Sequence, residues 1–450
     1  MILKNILLKY GATIYILFIC LYIIFGRSIS GLYIFDFRLA ELIIGFLLFW
    51  SIITIAQFLF KKLNIKGFDL QIKLFFVLIF LFLLSFFVNG GNFSNTYTFK
   101  SSSYIWTIPT LFLSYYLIFS SKFSNKYLYA FSISLPVAYF FSTIHYPIFF
   151  ITFFKSYSDK WDFIKASDLF LGFVLTNTLN YLLFKNKINS FTYLVFSSSI
   201  LLPLFLFMSK GAFFPAIFYS VLFLYFYIDL FKKETLKTIA ILITSIFLFT
   251  ASTFEVYGNL NFEKGTFNLD QIENSSFGFD SLKRGVLELS ENKDTGKIFA
   301  SLYFAKYTGS NRLYSTDIML DWRLQIWQDI ISDLYSKNKL FFGYGYNDMI
   351  PIMNSVERMG TDGTNENVHN YFFNVLARGG LFQLSLILLF IFAMFYEIKN
   401  KEMKKLFFVF AVPLYMTSFF DASMESVRFP LIFYTGITLI FKLDKNFLES

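Results

Sequence analysis

The chain has 450 residues, of which 56% are hydrophobic and 15% charged, with a formal net charge of +9 and one cysteine. That much apolar surface exceeds what a soluble core of this length hides, and a bilayer is the solvent that accepts it. The positive balance does not point to nucleic acid, because the lysines sit in short tethers between apolar runs, as membrane topology demands. Cys20 alone, inside an apolar segment, excludes an internal disulfide and a cysteine-built metal cluster.

The N-terminus looks signal-like: Lys4 and Lys9, an apolar run, then Ser28 and Ser30. Apolar runs of spanning length follow it, so it reads as a retained first helix. The fold class expected is an all-α polytopic membrane protein with about twelve transmembrane helices. They fall near 8–25, 39–60, 72–88, 103–120, 127–148, 168–184, 190–207, 211–231, 235–253, 381–397, 405–420 and 428–443. The tethers KKLNIKGFDLQIK, FKNKINS, FKKETLK and EIKNKEMKK lie on one side. With both termini that side holds about 19 Lys and Arg against about 8 opposite, which makes it cytoplasmic.

One connection breaks the pattern. Residues 254–380 form a long outward-facing loop between the ninth and tenth helices, dividing the chain into 1–253, 254–380 and 381–450. Its first half is polar. Its second half carries Trp322, Trp327 and periodic Leu and Ile, and a long loop with its own apolar pattern is usually functional.

Four stretches of the outer side could carry chemistry. In DIMLDWRLQIWQDIISDLY (317–335), helical geometry puts Met319, Leu320, Ile326, Trp327, Ile330, Ile331 and Leu334 on the side of Arg323. Asp321, Gln325, Gln328, Asp329 and Ser332 take the other face. A guanidinium on an apolar face either snorkels or meets an anion at a polar rim. In LFFGYGYND (340–348), Gly343 and Gly345 allow an ordinary tight turn or an anion nest. In MSKGAFF (208–214), Lys210 is either an interfacial anchor or a ligand cation.

The fourth stretch, DGTNENVHNYFFNVLARGG (362–380), holds His369, one of only two histidines. If 369–378 is helical, Gly379 and Gly380 end or kink it before the tenth span. His369 is then either a satisfied structural histidine or a base that titrates near neutrality. Asp421, Glu425 and Arg428 lie in the last outer loop, where a carboxylate could orient His369 or Arg323.

One histidine among cations at the outer leaflet suits an anionic lipid-linked donor. Lys and Arg would hold a diphosphate, already a good leaving group, and the histidine would take a proton from an attacking hydroxyl. Two histidines and one cysteine make a poor zinc set. There is also no D-x-D pair of the kind that holds a metal for nucleotide sugars.

These motifs are similar to those of the O-antigen polymerase and O-antigen ligase superfamily of bacterial envelope glycosyltransferases. The carriers are SKG at 209–211, DWRLQIWQDIISDLYSKNKLFFGYGYN at 321–347 and HNYFFNVLARGGLFQLSLILL at 369–389. The resemblance covers roughly 195–440. It implies a GT-C-like membrane fold, transfer of a glycan from an undecaprenyl-diphosphate carrier without cofactor or metal, and an active site on the periplasmic side of the inner membrane. It implies His369 as the catalytic residue. Arg323, Lys210, Arg312, Gly343, Gly345, Asn370 and Arg378 would bind the diphosphate or glycan, with Asp421 as a supporting acid. A chain-length regulator protein is the further partner implied. The family usually has Arg where this chain has Lys210, and often an acid where Arg378 stands. Polymerase is the activity expected, with the ligase as the alternative within the family and a lipid-linked oligosaccharide flippase as the alternative outside it.

Overall fold

The computed structural model describes residues 2–60, 68–120, 125–142, 148–158, 165–184, 186–262, 302–307, 310–355, 358, 366–421 and 423–444. Much of the polar first half of the long loop, and the end of the fifth expected span with His145, lie outside the described residues. Among the described residues the sheet content is two antiparallel hairpins. Tyr33–Ile34 pairs with Phe37–Arg38, and Leu302–Tyr307 with Ser310–Ser315 in the register Leu302↔Ser315 to Tyr307↔Ser310. Everything else regular is helix.

Among the described residues six helices are long and apolar enough to cross a membrane: Leu39–Gln57, Asp69–Val88, Lys187–Met208, Lys210–Lys233, Thr235–Tyr257 and Tyr371–Glu397. By length and composition the chain is a multi-pass membrane protein. The spans placed at 168–184, 405–420 and 428–443 are continuous helices, Ala166–Leu183, Lys401–Ser418 and Arg428–Leu443, while two others are shorter or broken. The one placed at 103–120 divides into Ser103–Trp106 and Thr110–Ser120 around Pro109. Proline lacks the N–H a helix needs and disfavours helix at the residue before it. The span placed at 127–148 stops at Phe141, and a separate helix, Ile148–Tyr157, follows. The ninth span overruns its expected end at 253 and closes at Tyr257, where Gly258 adopts φ +72, the left-handed cap that glycine allows.

Two apolar clusters organise the packing. The large one runs through the membrane bundle, where Thr235–Tyr257 lies against Lys187–Met208, and Tyr371–Glu397 against Asp69–Val88. The small one joins Ile326, Trp327, Ile330 and Leu334 to Ile350, Met353, Val368, Leu376 and Ala377. It glues the amphipathic helix Ile318–Ser336 onto the first turns of Tyr371–Glu397. Trp327 stacks on Phe373 with centroids 5.3 Å apart, and its Nε1 donates to the Val368 carbonyl at 2.8 Å. Met319, within the expected apolar face, and Ile331, at its edge, stay exposed.

The polar face of that helix is occupied too. Gln328 accepts from the Leu313 N–H at 2.8 Å and donates to the Leu313 carbonyl at 2.8 Å. Asp321 accepts from the Ser315 N–H at 2.8 Å. The second strand of the Leu302–Ser315 hairpin is therefore fastened along the polar face, and an amphipathic helix that would otherwise be half solvated lies between two partners.

Candidate functional site

Three elements bring the site together. The first is the start of Ile318–Ser336. Asp317 caps it by accepting from the Leu320 N–H at 2.9 Å, the usual role of an aspartate before a helix. The other oxygen of the same carboxylate accepts from Lys210 Nζ at 2.6 Å. Lys210 itself opens the helix Lys210–Leu224 behind the Ser209 cap. One aspartate thus fixes a helix end and ties the Lys210 cation to it. Burial alone would raise Asp317, but the Lys210 and Leu320 hydrogen bonds, with the charges of Lys210 and Arg323, outweigh it and hold its carboxyl below the ordinary range.

Arg323 follows one and a half turns later. Its Nε is shielded from solvent and has no hydrogen-bond partner among the described residues. Burial presses against its charge, and Asp421 and then Asp317 oppose that pressure. The guanidinium is therefore an enclosed cation facing carboxylates, with a donor to spare. A snorkelling arginine would have led its head to water instead.

The second element is the entry to Tyr371–Glu397. Asn370 caps that helix, its Oδ1 accepting from the Phe372 and Phe373 N–H groups at 2.9 and 3.1 Å. His369, just before the cap, takes φ +51, a left-handed conformation that non-glycine residues seldom hold unless their surroundings enforce it. The enforcement is visible on both sides: Val368 is pinned by Trp327, and Asn370 is locked into the cap. The Trp322 ring lies 5.4 Å from the imidazole. Burial depresses His369 first, the Arg323 charge adds to this, Asp421 opposes it, and Lys165 depresses it further, leaving the ring at about 4. At neutral pH the imidazole carries no charge.

The third element joins the last outer loop to the helix Ala166–Leu183. Asp421 Oδ2 accepts from Ser167 Oγ at 2.8 Å, and Lys165 Nζ stands 3.9 Å from Oδ1. Burial would raise Asp421. The Lys165 charge, the Ser167 hydrogen bond, Arg428 and His369 more than offset this and keep it ionised. Beneath it, Arg428 Nε donates to Asp168 at 2.6 Å in a nearly solvent-free pair. Glu425 nearby is pushed up by burial to about 8, although Asn374 and Arg378 pull the other way, so its carboxyl is mostly neutral at pH 7.

The site residues expected from sequence therefore separate into two groups. His369, Arg323 and Asp421 share one electrostatic neighbourhood, with Lys210 joined to it through Asp317 and Asn370 shaping the turn. The rest lie elsewhere. Arg312 sits on the hairpin, bonded to Gln325 and paired with Asp329, which also pairs with Arg358, on the opposite face of the helix from Arg323. The N–H of Gly343 donates to the Lys339 carbonyl at 2.7 Å, and that of Gly345 to the Arg378 carbonyl at 3.1 Å. Arg378 is buried, donating to the carbonyls of Gly345 and Asp348 and to Tyr97 Oη at 3.0 Å.

Sequence reading missed Lys165, Ser167, Asp168 and Asp317. For Asp317 a signal existed, an aspartate directly before an apolar helical pattern. Asp168 was hidden as the polar edge of an expected span, and its partner Arg428 is 260 positions away.

With this geometry in view, the comparison with known families bears on class. Residues 194–388 match the family model described as O-antigen ligase, Wzy_C. The chain carries a domain of the O-antigen polymerase and ligase superfamily. No curated protein matches the chain. The O-antigen ligase domain contains Lys210, Asp317, Arg323 and His369, whereas Lys165, Asp168, Asp421 and Arg428 lie outside it. The two cations that lead the family-type motifs thus share a site with carboxylates contributed from both flanks of the domain. Members of the superfamily are glycosyltransferase-type enzymes, and the match supports a function of the O-antigen polymerase or ligase type in general.

Proposed function

We propose that the chain is a metal-independent polymerase that joins undecaprenyl-diphosphate-linked oligosaccharide repeat units on the outer face of a bacterial inner membrane. His369 is the general base, and Arg323 and Lys210 receive the donor diphosphate. One observation carries this reading: the His369 imidazole is held in a left-handed turn within electrostatic reach of the enclosed Arg323 guanidinium. In the reaction a hydroxyl oxygen of the acceptor glycan bonds to the anomeric carbon of the donor. Its proton passes to a ring nitrogen of His369. The anomeric C–O bond breaks, and its electron pair leaves on the diphosphate beside Arg323. Gly343, Gly345, Arg312 and Arg378 act as scaffold, since the Gly343 and Gly345 N–H groups and the terminal guanidinium nitrogens of Arg312 and Arg378 already engage protein partners. A flippase would instead need cations along a path through the mid-membrane; these cations gather at helix ends.

The test is complementation of a deletion strain with the parent and with His369→Ala. The parent restores long surface glycan. His369→Ala, at equal protein level, leaves single-repeat caps only. Full-length glycan from the variant would overturn the reading. A second reading, the ligase, is favoured by the description of the matched family. It predicts that the deletion strain has no caps at all while long chains still accumulate on the carrier lipid.

A further inference from the structure

Three ion pairs belong to the charge network of this site, and they are not alike. Lys210 and Asp317 are 2.6 Å apart with side chains 28% and 18% exposed, and Arg428 and Asp168 are 2.6 Å apart at 12% and 4%. Both are closed contacts at hydrogen-bond distance. Lys165 is 40% exposed and stands 3.9 Å from Asp421 Oδ1, beyond hydrogen-bond reach. Asp421 does not depend on it for position, because Ser167 holds the other oxygen at 2.8 Å. Lys165 also stands at the N-cap of Ala166–Leu183, where its side chain makes no cap hydrogen bond. It is the loosely held cation of the cluster, on a flexible stem, over a carboxylate that stays in place without it.

We propose that Lys165 is the donor-sensing cation of this site: on engaging a diphosphate oxygen, its ammonium leaves Asp421, whose carboxylate then faces the His369 imidazole with one fewer competing charge. The inference rests on the reading of His369 as the base. It adds a coupling which that reading lacks, since donor binding itself would arm the base and an empty site would keep it weak.

The charges that act on the imidazole can be assigned element by element. Arg323 comes from Ile318–Ser336, Asp421 from the loop after Lys401–Ser418, and Lys165 from the start of Ala166–Leu183. Asp317 with Lys210, Asp168 with Arg428, and Glu425 form the outer ring. Of the two cations that hold the proton off His369, Arg323 is enclosed and Lys165 is partly exposed and beyond hydrogen-bond reach of Asp421. Transfer of Lys165 to the diphosphate and arrival of the anion both favour the imidazolium, so the proton taken from the acceptor hydroxyl is better stabilised only when donor is present.

The chain has two histidines, so His145→Gln in the full-length protein leaves His369 as the one imidazole. Carbon-13 histidine NMR in lipid nanodiscs then reads its titration directly. The probe is undecaprenyl diphosphate, with inorganic pyrophosphate as the arm that lacks the lipid. In the parent the probe is expected to raise the His369 midpoint by roughly one pH unit. Lys165→Gln and Lys165→Met, two neutral side chains, should start higher without probe and rise by less than half as much. Lys165→Arg should restore parental behaviour. A parental midpoint and a parental rise in both neutral variants would overturn the proposal. Failure of the base reading looks different: the probe leaves His369 unmoved in the parent, and His369→Ala retains glycan output.

Discussion

His369 is a weak base by its resting environment and a usable one by its charge state. Its ring is held at about 4 by burial, Arg323 and Lys165, with Asp421 opposing. The neutral form needed to accept a proton is therefore complete throughout the neutral range. Because kcat/KM reports the free enzyme, its acid limb should fall near pH 4 instead of near the ordinary imidazole value of about 6.5. The limb of kcat, which reports the donor complex, should lie higher. An acid limb of kcat/KM at about 6.5 would show the imidazole to be unperturbed and the enclosed cation irrelevant to it. Stability carries the same sign. Between about 6.5 and 4 the unfolded chain holds a proton on this residue that the folded chain refuses, so this contribution to stability falls as pH falls through that window. Histidine scarcity made residue 369 legible in the sequence, and helical spacing made Arg323 legible. Lys165 and Asp168 were not, because a charge at the mouth of an apolar run reads as the edge of a span until its distant partner is seen.

At the scale of elements, two glycine motifs explain each other. The G-x-G turn at 343–345 and the glycine pair at 379–380 read separately as a possible ligand cradle and a helix break. In the fold they are one joint. Tyr344 N–H donates to the Ala377 carbonyl at 2.7 Å, and Leu381 N–H to the Leu340 carbonyl at 2.9 Å, which satisfies backbone groups that the kink at Gly380 leaves open. Gly380 has φ +70, and a Cβ there would meet the Phe341 carbonyl; Gly343 has φ +69, and a Cβ there would meet the Arg378 carbonyl. Both obstacles are backbone, so neither can swing away. Gly380→Ala and Gly343→Ala should each cost about 3 kcal/mol or more, combining left-handed strain with a backbone clash. Gly45→Ala, with nothing within 4 Å and an ordinary helical setting, should be neutral or slightly stabilising. Thermal unfolding of the three variants in one detergent checks this; an unfolding midpoint for Gly380→Ala equal to that of Gly45→Ala would mean the joint bears no strain. The kink was foreseeable from the glycine pair. Its docking on the turn was not, because the hydrogen bonds that make it join positions about 40 residues apart.

For the whole molecule, hydropathy located the apolar runs well, because the cost of an unsatisfied backbone in lipid forces each run into helix. It was less informative about continuity: Pro109 interrupts one run, and Ile148–Tyr157 adds a helix that no spanning-length pattern announced. Orientation is a separate physical question, decided by where the lysines sit. If the Lys-rich tethers are cytoplasmic, then Lys233 and Lys404 lie inside, and the cap that holds His369 and Arg323 lies outside, where lipid-linked glycan donors are used. Both tether lysines belong to the side that carries most of the basic residues, and Ser355, exposed beside the small apolar cluster, belongs to the cap. With Cys20→Ser as background, Ser355→Cys in intact cells should react with a membrane-impermeant maleimide, while Lys233→Cys and Lys404→Cys should react only after the membrane is opened. The opposite labelling pattern would put the imidazole on the nucleotide side. A transferase fed by an outer-leaflet polyprenyl donor could not operate there, however well its histidine and arginine are placed.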